Sequence, residues 1–275
     1  MRVLALSPGS LLQQLERLPA LAAVAEQLEA QIQVACEPSH RALWSLLPSV
    51  EKVIPFPFAG DPNLAEWANL LGLVREPDFQ ACLNFASGRQ VNLMLSMSHI
   101  PVRVATEGFS STAVVSPDQG WKPQRLASYL KPLGLSLRAD DFRLSLPAEA
   151  METARQRQPL GEGPLLLLAP DDAANDWPEE RWQLLPERIR ERLPQLRCET
   201  LTPQAPFAQR AAAVACADVV LSSSAITQLL TAYCGVPLVA MGSSADALPS
   251  RDVIRVLPGD RQGLSTEEVM KALGF

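Results

Sequence analysis

The chain has 275 residues, of which 47% are hydrophobic and 20% charged. That composition excludes a disordered chain and leaves room for two domains of ordinary size, each with its own core. A net charge of −6 excludes a nucleic-acid binder that works through bulk positive charge.

The first half alternates strand-like and helix-like segments. RVLAL (2–6) reads as a buried strand, and residues 11–29 follow a helical period with Leu11, Leu15, Leu18 and Leu21 on one face. IQVACE (32–37) is a second strand, SHRALWSLLP (39–48) a short helix with Ser39 as its N-cap, and EKVIPFP (51–57) a third strand. A helix over 63–74, a strand DFQACLNF (78–85), a helix over 88–97 and a strand VRVAT (102–106) complete the series. A polar stretch (107–120), a helix (122–133) and a short extended segment (141–147) follow. Pro8, Gly9 and Gln13 interrupt the first apolar run, so no signal peptide is expected. No stretch approaches the roughly 18 to 20 uninterrupted apolar residues of a membrane span, and a cytoplasmic protein is expected.

QRQPLGEGP (156–164) is rich in Pro and Gly without periodicity, which marks a linker. A second alternation runs beyond it: a strand LLLLAP (165–170), a helix over 178–192, a strand CETLTP (198–203), a helix over 205–216, a strand DVVLSS (218–223) and a helix over 224–234. Strands VPLVAMG (236–242) and DVIRVLP (252–258) precede a last helix opened by Ser265 or Thr266 with Glu267 and Glu268. This order predicts βαβ units on parallel sheets. The expectation is an α/β protein of two Rossmann-like doubly wound domains, residues 1–158 and 159–275, facing a central cleft.

Five blocks carry a resemblance. MRVLALSPGSLLQQLERLPALAAVAEQL, PSVEKVIPF and PDFQACLNFASGRQVNLMLSMSHIPVRVATEGF resemble the first domain of the heptosyltransferases, glycosyltransferase family nine. LLLLAPDDAANDWPEERWQLL and CADVVLSSSAITQLLTAYCGVPLVAMGSS resemble the second domain, and the frame around residues 217–240 is the most specific. The resemblance implies a GT-B fold whose N-terminal domain faces an acceptor, often a lipid-linked sugar chain. Its C-terminal domain would hold an ADP-activated heptose, and the reaction would invert the anomeric centre without a carboxylate-bound metal.

The resemblance also places three functional points, and this sequence departs from the pattern at each. The family's loop after the first strand ends in Gly-Asp, the Asp acting as general base. Counting back from Pro19 puts Leu12 and Gln13 there, and an amide cannot accept a proton near neutral pH. The family's Lys before a Trp-Pro pair, which reaches the donor phosphates, falls near Asn175–Asp176, in a loop made acidic by Asp171 and Asp172 as well. The family's Asp-Ser/Thr-Gly turn, with a His three residues later, falls on Ser224, Ala225, Ile226 and Leu229. The frame is kept and the chemistry is gone.

The expected function is therefore a glycosyltransferase-like protein impaired in catalysis and acting as a binding or scaffolding protein. The alternative is an active inverting, metal-independent transferase with other residues, Glu107 being the best substitute base in the first domain. Ser222, Ser223 and Ser224 at a strand end admit two readings: a helix N-terminus that binds a nucleotide phosphate, or caps supplied by Ser223 or Ser224. Gly242, Ser243 and Ser244 follow the next strand, where the family contacts donor phosphates; a plain turn is the other reading. Ser10 and Arg89 fall on the acceptor side. His40 and His99 have no Cys, His or acid at ligand spacing, so no metal site and no cofactor is expected. Cys36, Cys82, Cys198, Cys216 and Cys234 have apolar surroundings and read as buried thiols. The partners implied are a nucleotide or nucleotide-sugar and a protein, with peripheral membrane contact open and nucleic acid not expected. No Gly-x-Gly-x-x-Gly, Walker loop, nucleophile elbow or Cys-x-x-Cys occurs, which removes support from dehydrogenase, ATPase, hydrolase and redox readings.

Overall fold

RVLALS forms a strand, β1 (Arg2–Ser7), whose residues from Val3 to Ser7 have no exposed surface. A strand buried on both faces belongs at the centre of a parallel sheet covered by helices, which is why the run does not alternate. The computed structural model describes every residue except Ala245. It divides into two compact units, Met1–Phe142 and Arg143–Phe275.

In the first unit, β1 leads into α1 (Leu11–Leu28), then β2 (Gln31–Cys36), a 3-10 helix (Pro38–Leu46), β3 (Val50–Pro55), α2 (Leu64–Arg75), β4 (Ala81–Asn84), α3 (Arg89–Met97) and β5 (Val102–Ala105). A two-residue strand β6 (Ala113–Val114) lies inside the stretch that reads as polar loop. The strands are parallel, in the order β3-β2-β1-β4-β5-β6. This is the doubly wound order whose direction reverses between β1 and β4, and ligands of such sheets bind beyond the carboxyl ends at that reversal.

Two local expectations are corrected. Ser39 is not a cap: the segment starts at Glu37 as a 3-10 helix with no side-chain cap bond, because Pro38 occupies its first position. The helix expected over 122–133 is broken into α4 (Lys122–Arg125), α5 (Ala127–Leu130) and a 3-10 turn (Lys131–Leu133) ended by Gly134 at φ +73°. Pro132 removes a helical donor and crowds the turn before it, so a continuous helix is not sustained, whereas Pro123 sits in the first turn of α4, where no donor is needed.

In the second unit, α6 (Ala148–Arg157) precedes β7 (Leu165–Ala169), α7 (Glu179–Arg190), β8 (Arg197–Thr200), α8 (Phe207–Ala215), β9 (Val219–Ser222), α9 (Ala225–Cys234), β10 (Leu238–Met241), β11 (Ile254–Leu257) and α10 (Thr266–Leu273). The segment 141–147 contains no strand among the described residues. Its backbone attaches to the second unit, Leu144 N–H bonding Tyr233 C=O at 3.1 Å. The division falls at 142/143, ahead of the Pro/Gly-rich stretch, because α6 packs on α8. Cys216 Sγ meets Met151 C=O at 3.6 Å, and Gln158 Nε2 donates to Cys216 C=O at 3.0 Å.

The second sheet is also parallel, in the order β11-β10-β9-β7-β8. Counted from β7 this is the other common doubly wound order, with its reversal between β7 and β9. Among the described residues three helices begin with capping boxes, Ser10 with Gln13, Asn63 with Glu66 and Ser265 with Glu268, each worth about 1 kcal/mol. Among the described residues no helix is long and apolar enough to cross a membrane.

Candidate functional site

The two sheet reversals are the places where each unit could receive a ligand, and the residues singled out by sequence gather near them. In the first unit β1 ends at Ser7, and the loop Pro8–Gly9–Ser10 turns into α1. Ser10 is the N-cap, accepting from Gln13 N–H at 3.4 Å, while Gln13 Oε1 accepts from Ser10 N–H at 2.8 Å. The Gln13 side chain is exposed and lies over Gly9, whose φ is +94°; a Cβ there would come within 2.1 Å of Gln13 Oε1. Gln13 is thus a helix-capping amide, and Ser10 is its partner.

The next turn of α1 holds two residues that sequence reasoning passed over. Gln14 is wholly buried, accepts from Ser7 Oγ at 2.6 Å and donates to the carbonyls of Ser7 and Pro8 at 2.9 and 3.0 Å. Arg17, 8% exposed, donates through Nη1 to Ser7 Oγ at 2.7 Å and to Pro8 C=O at 2.5 Å. Its guanidinium lies over the Phe85 ring, 4.7 Å from the centroid, and Tyr129 packs on the same ring at 4.7 Å. Burial lowers the Arg17 pKa to about 10, against the opposing pull of Tyr129 and Glu16. Burial raises that of Tyr129, against the Thr106 hydroxyl and Arg17. Ser7 ends β1, Pro8 follows it, Phe85 follows β4 and Thr106 follows β5, so Arg17 sits under the reversal of the sheet. The signal in the sequence was a cation among the apolar positions of α1.

Arg89 is the first residue of α3 and is exposed; Glu107, two residues past β5, is exposed, and its backbone C=O accepts from Ser111 Oγ at 2.9 Å. A cavity of about 530 Å³ lies at this edge, walled by Pro8, Phe58, Trp67, Phe85 and Gln90 among others.

In the second unit the reversal lies between β7 and β9. Ser222, Ser223 and Ser224 are all buried here. Ser224 occupies the N-cap position of α9, yet its side chain makes no cap bond. Ser223 Oγ instead accepts from Asp171 N–H at 2.9 Å, and Ser222 Oγ donates to Ala169 C=O at 2.9 Å and accepts from Ser224 N–H at 3.1 Å. Capping by Ser223 or Ser224 is therefore corrected: the hydroxyls tie β9 to β7, because the chain leaving β7 runs close beside them.

Gln228, 1% exposed, organises the neighbouring strand end. Its Nε2 donates to Ser222 C=O at 2.8 Å and Met241 C=O at 3.1 Å, and its Oε1 accepts from Ser243 Oγ. Ser244 Oγ turns away to Asp246 Oδ1 at 2.6 Å. Gly242, at φ +73°, lies against Arg261. That arginine meets Asp171 Oδ2 at 2.9 Å and approaches Asp176 Oδ1 at 3.8 Å, while Asp176 Oδ2 accepts from Asp171 N–H at 2.9 Å. Asn175 is exposed on the same loop, and Trp177 is a packing residue, donating to Leu264 C=O at 2.8 Å and set edge-on to Trp182. Nothing in the local sequence marks Arg261, which arrives from beyond β11.

A second cavity, about 560 Å³, lies between α6, β8 and α8, away from the serines. Arg210 in its wall bonds Thr227 Oγ1 at 3.0 Å, and burial lowers its pKa against the pull of Asp172. Among the described residues no three His, Cys, Asp or Glu side chains group as a metal site would.

The sequence matches no protein-family model and none of the curated proteins. Its fold does match solved structures over nearly the whole chain. A glycosyl transferase family 9 protein from Veillonella parvula aligns with a TM-score of 0.76 and 14% identity, over 98% of this chain and 95% of that one. The ADP-heptose lipopolysaccharide heptosyltransferase II of E. coli gives 0.73 and 16%, over 99% and 97%. The E. coli heptosyltransferase WaaC, solved with ADP-2-deoxy-2-fluoro heptose, gives 0.71 and 17%, over 99% of both. These likenesses establish the GT-B type of fold.

Proposed function

We propose that this chain is a heptosyltransferase-like GT-B protein that has lost sugar transfer and serves as a cytoplasmic binding or scaffolding protein. The observation that carries the reading is Gln13. At the position where the family resemblance puts a general base, the chain has an amide that closes the capping box of α1. The second unit supports the same reading. Most groups at its ligand edge are satisfied by one another: Ser223 by Asp171, Ser243 by Gln228, Asp171 by Arg261 and Asp176 Oδ2 by Asp171 N–H, while Asp176 Oδ1 stays without a hydrogen bond 3.8 Å from Arg261. Three aspartates against one arginine leave the loop after β7 negative, which opposes a diphosphate.

E. coli WaaC has been solved with ADP and with an ADP-sugar, so a nucleotide is the small molecule to try first. In this reading it would rest on the N–H groups opening α9, with Ser222–Ser224, Gly242 and Ser243 around it and little help from side-chain charge. A protein partner, or peripheral contact with a membrane, supplies the scaffolding role. The test pairs calorimetry using ADP, UDP and their sugars with an assay for transfer and donor hydrolysis. Absence of turnover is expected, with nucleotide binding weak or absent. Turnover that Glu107→Gln abolishes would replace this reading with that of an active enzyme using Glu107 as base.

A further inference from the structure

The groups around Arg17 are not all used by the protein. Its Nη1 has two acceptors, Ser7 Oγ and Pro8 C=O. Among the described residues no acceptor meets Nε or Nη2, and no carboxylate lies within ion-pair distance, since Glu16 is engaged with Lys122 at 3.5 Å. The buried polar atoms without a partner include none from Arg17 or Tyr129. The unpaired donors of Arg17 therefore reach solvent, although the residue is only 8% exposed, and the Tyr129 hydroxyl beside it is engaged by the Thr106 hydroxyl.

A guanidinium so deeply placed without a counter-charge is costly unless something anionic meets it. The Phe85 face and the two acceptors on Nη1 orient it and leave the other edge of its fork open. That edge stands under the β1/β4 reversal, where a sheet of this order presents ligands. Pro8 and Phe85, which hold it, also wall the 530 Å³ cavity.

We propose that Arg17 and Tyr129 form an anion-binding site on the first unit, taking a single carboxylate or phosphate group. The planar fork of Arg17 supplies two donors to adjacent oxygens, and the Tyr129 hydroxyl supplies a third. The site goes beyond the reading above: it lies in the first unit and stands whether or not the second unit holds a nucleotide.

The experiment titrates the full chain with inorganic phosphate and, separately, formate, by calorimetry at low ionic strength, with chloride matching the ionic strength as control. Saturable binding of at least one of the two oxyanions is expected, and which one saturates separates phosphate from carboxylate ligands. Tyr129→Phe keeps the ring packed on Phe85 and should weaken binding several-fold. Arg17→Lys keeps the charge but loses the fork and should weaken it tenfold or more, with circular dichroism confirming that each variant is folded. Wild-type chain indistinguishable from the chloride control would overturn the site. So would binding that both variants retain while Ser223→Ala abolishes it, since the ion would then sit in the second unit.

Discussion

Gly242 and Arg261 compete for one space. A Cβ on Gly242 would come to 2.6 Å from Arg261 Nε and 2.8 Å from its Cγ, and the glycine's φ of +73° already disfavours any side chain. Arg261 can hold Asp171 and Asp176 only because position 242 has no side chain. Gly242→Ala should therefore cost about 1 to 2 kcal/mol in backbone strain and release Arg261 from both aspartates. Urea unfolding measures the first effect. The second shows as a further loss of any affinity for ADP, because the aspartates are left uncompensated.

Gln13 is a cap, so removing it should affect the helix and nothing else. Gln13→Ala should lower stability by roughly 0.5 to 1 kcal/mol through loss of the acceptor for Ser10 N–H. Thermal melting tests this, and ligand binding measured alongside should not change. A change in turnover without a change in melting would contradict the structural role.

Gln228 offers the opposite case, a polar side chain with no exposed surface to spare. Gln228→Leu fits the volume but strips the carbonyls of Ser222 and Met241 and the hydroxyl of Ser243 of their partner. The two buried carbonyls left unpaired cost about 1 to 3 kcal/mol each, the half-buried Ser243 hydroxyl can turn to water, and a total loss of about 2 to 6 kcal/mol is expected in chemical denaturation.

The buried thiols set the alkaline limit. Burial raises Cys36 and Cys198 to about 11 and Cys234 to about 12. Because the folded state holds these protons more tightly than the unfolded chain, their stabilisation is complete below about pH 8.5 and is lost as pH rises toward 11 and 12. A fully buried thiol such as Cys36 contributes at most about 2 to 3 kcal/mol to that loss, and the half-buried Cys198 less. Unfolding midpoints measured between pH 7 and 10.5 should fall above pH 9, and Cys36→Ala should flatten the fall.

The parallel sheets were legible because they rest on runs such as RVLALS and LLLLA, whose burial needs no partner information. The helix start at Ser265 with Glu268 was equally local, whereas Ser10, which caps α1, was read only as an acceptor-side residue. Two helical features escaped for different reasons. Residues 148–157 form α6 with no buried residue, so no apolar stripe announces it. The helix expected over 122–133 has a helical pattern that Pro132 interrupts. At the candidate site, Gln13 could be placed by counting from Pro19. Arg17, Gln14, Gln228 and Arg261 could not be assigned roles, because each bonds to groups brought near only by the fold: Ser7, Met241 and Asp171 from other elements.

The amide of Gln13, folded over Gly9, also bears on history. A vacated base would leave an empty position that a single substitution could refill. Under the proposed reading the position is occupied instead, with Gly9, Ser10 and Gln13 fitted to one another. Gln13→Asp would reinstate a carboxylate while undoing that fit, and the groups facing the second sheet's edge would still be bound to each other. On the proposed reading, each such bond works as a ratchet, so a route to catalysis would lengthen with every contact that improves the fold.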